Sequence, residues 1–524
     1  MIMLKIVSNL NFKDKEIYFF IITFVIIALS ILTNSFVDTN GYLTTDSTHF
    51  LKLAKSFNQN GSLYVYSWTN SGEINFFSMW PLGYPLLISL ISKLTFLDVF
   101  WSSKLLNILS VLLIFLMIYK NTLFGYSLIG LLFLSGSFIN IFSYTLTENL
   151  FIVGLISYAY STYNLTVRAS KKSISIAILS FVLTFSSRYI GGYLLIFNFF
   201  LILRSLKNNQ SNTRGLIILL VASGTYMLGY LYMNKYFTGF LTYPHAYITY
   251  ESSSEIILHF VKKVFEELNL IMASVRFKIS PMFSIFSSFL SAMLISLVAI
   301  YCKKTSIKDE KLNSLATNFI YMSLFYIIIV LFWRLTIWFS PFSYRILFPA
   351  SILIMIGFAY KVLSRTNIHF DGIKNIYLAL VLIGSLSIGY NVLYKQITFE
   401  GITYTENIKQ LKKKYSIIES GSSIIFGERQ IDYLRTDLVP LKPYYLPLFA
   451  ESESLGDFNK RISKSNSIFF NIPKICKKPY QTLSGDRDLN CISSNKRIHF
   501  FDNQIMNYIK SNKNLGLHRI SEIK

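Results

Sequence analysis

The stretch Ile17–Phe36 reads IYFFIITFVIIALSILTNSF and contains no charged residue. Its length matches the roughly 20 residues that a helix needs to cross a hydrocarbon core about 30 Å thick. The stretch is too long for the apolar core of a signal peptide, and no clear small-x-small cleavage site follows it. It therefore predicts a first transmembrane helix that stays in the protein.

Similar apolar stretches recur along the chain as far as Tyr394. Hydrophobic residues make up 52% of the 524 residues and charged residues only 15%, against about 25% charged in an ordinary soluble domain. The other predicted spans lie at residues 101–119, 123–143, 149–167, 173–187, 189–203, 215–233, 282–301, 316–338, 344–362 and 375–394. The composition therefore predicts an all-α polytopic membrane protein with about eleven transmembrane helices.

One shorter apolar segment, Tyr84–Leu97, decides the orientation. It carries Lys93 and has a length better suited to an interfacial or re-entrant helix than to a span. If it does not cross and the N-terminus is cytoplasmic, the loops rich in Lys and Arg lie in the cytoplasm, as the positive-inside rule requires. If it crossed, every later loop would lie on the opposite side of the membrane, and the basic loops would violate this rule. We therefore predict a first external loop at residues 37–103 and a tail on the same outer side.

The tail has a different composition from the rest of the chain. Its hydrophobic runs are short and strand-like, with Pro and Gly between them. We predict a transmembrane domain of residues 1–394 and a small extracytoplasmic α/β domain of residues 395–524. Cys476 and Cys491 lie in this tail, where an oxidising compartment would allow a disulfide. Two unpaired cysteines fit the sequence equally well, because sequence does not give their separation.

The charge and cysteine content exclude several classes of function. The net charge is +23, with +15 before Lys395 and +8 from Lys395 onward. Loops and lipid headgroups account for this excess better than nucleic acid, since the tail lacks clustered basic and aromatic motifs. The 3 cysteines lack the close spacing of a zinc or redox site. We expect no nucleic-acid partner, no metal site and no cofactor. A divalent cation stays open as an alternative, although nothing in the sequence indicates one.

The first external loop holds two carboxylates, Asp38 and Asp46. Asp46 precedes an apolar repeat at helical spacing, with lysines opposite, which predicts an amphipathic surface helix with Asp46 in its first turn. The helix residues are Phe50, Leu53, Ala54 and Phe57, with Lys52 and Lys55 on the other side. Asp46 as a simple helix cap is the structural alternative. Its position at the membrane surface, beside a Trp-Pro and Tyr-Pro corner, favours a catalytic role.

Five motifs resemble those of the GT-C class of bacterial membrane glycosyltransferases, which use polyprenyl-phosphate sugars. Relatives include protein O-mannosyltransferases, aminoarabinose transferases and lipopolysaccharide-core transferases. The motifs are TDSTHFLKLA from Thr45, WPLGYPLL from Trp80, TENLF from Thr147, SRYIGG from Ser187 and SYRILFP from Ser343. They follow the family's order across roughly residues 15–395. Ser47, Phe50 and Trp80 depart from the residues that many relatives have.

The resemblance implies a GT-C-like fold and an inverting hexosyl- or pentosyltransferase in the bacterial inner membrane. Its partners would be the bilayer, a polyprenyl-phosphate sugar and an envelope glycan, lipid or protein acceptor. Asp46 would act as general base, with Asp38 as the second candidate. Glu148, Arg188, Arg345, Tyr84 and Tyr189 would bind substrate, the arginines by holding the donor phosphate.

Structural roles remain open for the same residues. The arginines, with Arg334 as a weaker third candidate, could extend to lipid headgroups, and Glu148 could simply pair with Arg188. His49 near Asp46 suggests a metal ligand, but a lone histidine without other ligands is more often a surface residue. Two other functions also fit a polytopic chain: a transporter of lipid-linked glycans, and an O-antigen polymerase or ligase. The first would favour inverted repeats and broken helices, and the second lacks the early loop with its aspartate.

Overall fold

The computed structural model describes most of the chain up to residue 443. The described ranges are 12–66, 74–122, 124–208, 212–242, 251–267, 281–336, 342–366 and 401–443. Isolated positions between 382 and 397, residue 507, and the short stretches 467–470, 481–482, 491–493, 496–498 and 517–519 are also described. Cys476 lies outside them, so the choice between a Cys476–Cys491 disulfide and two unpaired cysteines lies outside the described residues.

Helices dominate the described ranges. In chain order they are α1 (Phe12–Val37), α2 (Thr45–Asn60), α3 (Gly83–Thr95), α4 (Val99–Asn121), α5 (Tyr126–Leu131), α6 (Gly136–Ser143), α7 (Glu148–Val167), α8 (Lys171–Ser187), α9 (Tyr193–Lys207), α10 (Thr213–Thr238), α11 (Ser253–Glu267), α12 (Pro281–Lys304), α13 (Glu310–Thr336), α14 (Tyr344–Leu363), α15 (Tyr404–Tyr415) and α16 (Ile431–Leu434). Short 3₁₀ turns at Leu132–Leu134 and Tyr189–Gly192 follow α5 and precede α9.

Within these ranges, 8 helices are long and apolar enough to cross a membrane, or 9 if a bent pair is one span. The pair is Tyr126–Leu134 with Gly136–Ser143, bent by 67°, where the sequence predicts one span. Helix α8 has 17 residues and is slightly too short to be counted among these 8 helices. The last predicted span, 375–394, lies largely outside the described residues. The fold is thus polytopic and helical, while the number eleven stays a prediction.

The chain divides into two compact units. The helical unit consists of Met1–Asp38, Ser78–Tyr84 and Ser103–Gly401. The loop–tail unit consists of Thr39–Phe77, Pro85–Ser102 and Ile402–Lys524. It groups most of the first external loop with the tail, and these two segments are at least 300 residues apart in sequence.

The helical unit has a continuous core of aromatic and branched side chains. Helix α7 packs along α8, and α13 packs along α14. Gly154 of α7 permits the first of these contacts, because a Cβ there would lie 2.3 Å from Thr184 Oγ1 of α8. Small residues at such crossings let helix backbones approach closely. As α7 and α8 are consecutive antiparallel helices, the start of α7 and the end of α8 lie at the same end of the bundle.

The loop–tail unit contains α2 and most of α3 from the loop, α15 and α16 from the tail, and strands of both segments. Strands β1 (Tyr64–Tyr66) and β2 (Ile74–Phe76) form an antiparallel hairpin. In the tail, β3 (Ser423–Gly427), β4 (Val439–Pro443), β5 (Ile468–Phe470) and β9 (Leu517–Arg519) form a parallel sheet in the order β4-β3-β5-β9. Strands β6 (Gln481–Thr482), β7 (Cys491–Ser493) and β8 (Lys496–Ile498) form an antiparallel sheet. The predicted short strands are therefore present, whereas the boundary at residue 395 and the outer location remain predictions.

Candidate active site

Glu148 is the first residue of α7, at the end of the bundle where α8 finishes. Its side chain is 1% exposed, and Thr147 donates a hydrogen bond from Oγ1 to Glu148 Oε2 at 3.2 Å. A carboxylate at a helix N-terminus is favoured by the helix dipole. The sequence-predicted Glu148 is therefore a buried anion in a position that stabilises its charge.

Two predicted arginines converge on this carboxylate. Arg188 follows the last residue of α8, and its Nη1 lies 2.9 Å from Glu148 Oε1. Arg345 is the second residue of α14, and its Nε donates to the same oxygen at 2.8 Å. The structural alternative, in which Glu148 pairs with Arg188, is observed, and Arg345 joins the pair. Together the three side chains carry one net positive charge, so the cluster can attract an anion.

The Arg188 guanidinium lies against an aromatic side chain. It lies 6.0 Å from the centre of the Phe151 ring, a cation–π distance. The Phe151 ring in turn lies 5.8 Å from that of Tyr326 in α13. Tyr326 donates from its hydroxyl to the carbonyl of Ile346, next to Arg345, at 2.8 Å. These contacts join α7, α13 and α14 at the arginine cluster.

Tyr84, at the start of α3, is fully buried close to Glu148. Its hydroxyl donates to Asn107 Oδ1 at 2.9 Å, and Asn107 Nδ2 donates to the carbonyls of Phe142 and Tyr144 at 2.8 and 2.9 Å. Burial raises the pKa of the Tyr84 phenol, and the Glu148 charge also raises it. Tyr84 is therefore a protonated hydrogen-bond donor at the link that leads to α7. Its predicted contact with substrate is not tested by this arrangement.

Tyr189 makes two hydrogen bonds that fix the corner ahead of α3. Its hydroxyl donates to the Ser78 carbonyl at 2.8 Å and accepts from Asn234 Nδ2 at 2.8 Å. In the same corner, Leu82 N donates to the Tyr230 hydroxyl at 2.8 Å. Tyr189 thus holds the Trp-Pro segment in place, and its role in binding substrate stays a prediction.

The described ion pairs of Arg334 do not include one with Glu148. Near the end of α13, its guanidinium pairs with Glu251, which also lies 3.4 Å from His259 Nδ1. The third candidate cation therefore has a carboxylate partner of its own.

Asp46 lies in the first turn of α2, as the sequence predicts, and is half-buried. The residue that caps this helix is Thr44, whose Oγ1 accepts from Ser47 N at 3.2 Å while Ser47 Oγ accepts from Thr44 N at 3.0 Å. The capping role considered for Asp46 is therefore wrong. Asp38 is also half-buried and follows the end of α1, with its N–H bonded to the Asn34 carbonyl at 3.2 Å. The catalytic roles of both carboxylates stay predictions.

Helix α2 differs from the amphipathic surface helix that the sequence predicts. Lys52 is only 1% exposed; its Nζ donates to the Tyr66 carbonyl at 3.4 Å and lies 5.7 Å from the Tyr66 ring centre. Strand β1 and helix α16 pack against α2 and cover the face that was expected to meet solvent. Burial lowers the pKa of Lys52, and Asp432 opposes this change.

The sequence favours a surface position for His49, and this expectation is wrong, because the side chain is buried in the same helix. Burial lowers its pKa to about 3, and the nearby Lys52 acts in the same direction. The imidazole is therefore neutral at physiological pH. Among the residues that the structure describes, no group of 3 or more His, Cys, Asp or Glu side chains is arranged to hold a metal ion.

Sequence reasoning missed two buried polar residues of α4. Lys104 is fully buried and donates from Nζ to the Ser143 carbonyl at 2.6 Å, and Asn107 binds the following carbonyls as described above. A lysine and an asparagine inside an apolar span were a usable signal, because polar groups at membrane depth are costly and commonly functional. They fix the Phe142–Tyr144 link between α6 and α7.

Two solved structures share this arrangement of helices. ArnT from Cupriavidus metallidurans bound to undecaprenyl phosphate matches 84% of this chain over 87% of its own length, with a TM-score of 0.52 and 10% identity. Its apo form matches 80% of this chain over 85% of its length, with a TM-score of 0.50 and 12% identity. The chain therefore has a GT-C-like fold, the one that it shares with these two structures. The GT-C expectation is therefore confirmed at the level of fold.

A third solved structure carries no argument about the fold. The archaeal oligosaccharyltransferase AglB from Archaeoglobus fulgidus, in complex with an inhibitory peptide and a dolichol-phosphate, matches 81% of this chain over 64% of its own length. Its identity is 11% and its TM-score is 0.41, too low to establish a common fold. No family model and no curated protein matches the sequence.

Proposed function

We propose that the protein is a membrane glycosyltransferase that moves a sugar from a polyprenyl-phosphate donor to a cell-envelope glycan, lipid or protein. The proposed reaction takes place on the outer face of a bacterial inner membrane. The charge distribution of the loops supports that orientation.

The observation that carries the proposal is the convergence of Arg188 and Arg345 on Glu148. One carboxylate opposite two guanidiniums leaves an excess positive charge at the ends of membrane helices. Planar guanidiniums suit phosphate oxygens, and an arginine pair can stabilise the charge that grows on a leaving phosphate. Glu148 keeps the two cations together in the absence of the anion.

The fold supports a lipid-linked donor. One of the two ArnT structures with this fold binds undecaprenyl phosphate, a polyprenyl phosphate. The donor would carry its phosphate at the membrane surface, where the arginines stand at helix ends, with its chain in the bilayer.

Asp46 is the proposed general base. In a single displacement, the acceptor hydroxyl gives its proton to the Asp46 carboxylate while its oxygen bonds to the anomeric carbon. The bond from that carbon to the phosphate oxygen breaks, and the polyprenyl phosphate leaves with the electron pair. Displacement from the opposite face inverts the anomeric configuration. Asp38 is the alternative base, and no metal or cofactor takes part in the proposed step.

Purified protein in lipid nanodiscs tests this function directly. It would be incubated with polyprenyl-phosphate sugars and an envelope extract, and both released polyprenyl phosphate and glycosylated acceptor would be measured. A transferase releases the lipid phosphate in step with product. A transporter moves the intact lipid-linked glycan and releases none, so absence of release with vectorial movement would contradict the proposal. Mass analysis of surface glycans from a deletion strain would then identify the acceptor class.

A further inference from the structure

The segment Thr39–Leu43, directly before Thr44 and Asp46, has an unusual backbone. Gly41 has φ of 66° and Tyr42 has φ of 52°, so two consecutive residues are left-handed. A non-glycine residue such as Tyr42 adopts this conformation at a cost and needs surrounding structure to hold it. The segment therefore requires external support.

The tail supplies this support through hydrogen bonds to the segment's backbone. Asn407 Nδ2 donates to the Thr39 carbonyl at 2.8 Å, and Arg429 Nη1 donates to the Leu43 carbonyl at 3.2 Å. Gln430 Nε2 also donates to Asn40 Oδ1 at 3.1 Å. Both ends of the five-residue segment are thus bound by side chains more than 350 residues later in the sequence.

Ring packing fixes the middle of the segment. The Tyr404 ring stacks on Phe100 with centroids 3.8 Å apart. A Cβ at Gly41 would lie 2.6 Å from the Tyr404 ring and 2.7 Å from the Phe100 ring. The backbone at Gly41 is therefore pressed against the tail so closely that only glycine fits.

The helix that carries Asp46 is also anchored to the tail. Lys55 donates from Nζ to the Leu434 carbonyl of α16 at 2.6 Å. Buried Lys52 interacts electrostatically with Asp432 of the same short helix. The tail thus contacts the chain on both sides of Asp46, before α2 and along it.

We propose that residues 402–438 of the tail are a positioning element for Asp46, with Arg429 and Asn407 as its positioning residues. This inference rests on the proposed function, in which Asp46 is the base. By holding the left-handed segment and α2, the element limits the motion of the Asp46 carboxylate within the loop–tail unit. A catalytic group displaced by about 1 Å can lose on the order of 10²-fold in rate.

Three variants test the element: Arg429→Met, Arg429→Lys and Lys409→Met. Methionine keeps the aliphatic length of Arg429 but cannot donate to the Leu43 carbonyl, whereas lysine can. Lys409 is an exposed cation of α15. Its replacement therefore serves as a control that removes one positive charge from the tail. We expect kcat of Arg429→Met to fall by about tenfold or more with donor KM unchanged. Arg429→Lys should retain most activity, and Lys409→Met should match the wild type.

Hydrogen exchange gives a readout that does not depend on transfer. Amides of Thr44–Phe50 should exchange faster in Arg429→Met than in the wild type and Lys409→Met. Unchanged exchange in Arg429→Met would overturn the positioning element whatever its activity, and so would faster exchange with wild-type kcat. If the wild type transfers no sugar, the proposed function fails, while the exchange comparison still decides whether the tail holds the segment.

Discussion

Glu148 Oε1 lies 2.8 Å from Arg345 Nε and 2.9 Å from Arg188 Nη1, so one carboxylate oxygen holds two guanidiniums together. Without this oxygen the two cations would repel each other at close range in a buried site. With it, they form a compact cluster with one net positive charge. We propose that an incoming phosphate meets this cluster.

Replacing Arg188 or Arg345 by Lys should weaken donor binding and transfer. Lysine keeps the charge but loses the planar fork that holds phosphate oxygens and the carboxylate together. We expect the Kd for polyprenyl phosphate to rise about tenfold or more in each variant, which corresponds to the loss of one charge-assisted hydrogen bond. Binding of labelled lipid to nanodiscs measures it. Arg168→Lys, at an exposed position after α7, is the matched control, and wild-type affinity in both site variants would assign the arginines a structural role.

Glu148→Gln should destabilise the helical unit. Removing one partner of a buried ion pair typically costs about 3–5 kcal/mol, because the remaining charge is left uncompensated. A thermal unfolding scan in detergent should therefore show a clear drop in midpoint. Glu310→Gln, an exposed position at the start of α13, should leave the midpoint unchanged. Equal midpoints in Glu148→Gln and the wild type would mean that the pair contributes little to stability.

The sequence predicts much of this arrangement for identifiable reasons. Charged residues at the borders of apolar stretches place Glu148, Arg188 and Arg345 at helix ends, and the structure confirms it. The sharing of one carboxylate by both arginines could not be predicted, since Arg345 is 197 residues from Glu148. Only tertiary packing joins them.

The loop–tail unit shows where periodicity misleads. Helical spacing predicted the helix α2 and placed Asp46 in its first turn, as observed. It predicted a solvent-facing Lys52, because a lysine in an amphipathic pattern is normally exposed. The elements that bury Lys52, β1 and α16, come from other parts of the chain. Periodicity carries no information about such long-range cover.

Buried His49 predicts a specific acid sensitivity. Its pKa is about 3 in the folded protein, against 6.5 ordinarily. As pH falls below about 6.5, the unfolded chain binds this proton and the folded chain does not, so stability declines toward pH 3. The slope is at most about 1.4 kcal/mol per pH unit. Between pH 7.5 and 5.5, His49→Asn should lose less thermal stability than the wild type. An equal loss would show that His49 does not cause the sensitivity.

The orientation of the tail is a separate prediction. The positive-inside rule assigns the loops rich in Lys and Arg to the cytoplasm, and it therefore predicts that the end of the chain lies on the outer side of the membrane. A reporter that is active only in the cytoplasm, fused after Lys524, should therefore be silent, and one that is active only outside should give a signal. Strong activity of the cytoplasmic reporter would show that the topology is the reverse of the proposed one and that the proposed reaction lies on the other face.

The most direct test of the account is the transfer rate of Asp46→Asn beside that of Asp38→Asn. Asparagine is nearly isosteric with aspartate, and Thr44 caps α2 in either case, so folding should persist. It cannot accept the acceptor's proton, and turnover should fall by about 10²-fold or more in Asp46→Asn while polyprenyl-phosphate binding is retained. Asp38→Asn should keep most of its turnover. Normal turnover in Asp46→Asn with an inactive Asp38→Asn would transfer the base assignment to Asp38, and normal turnover in both would contradict the proposed mechanism.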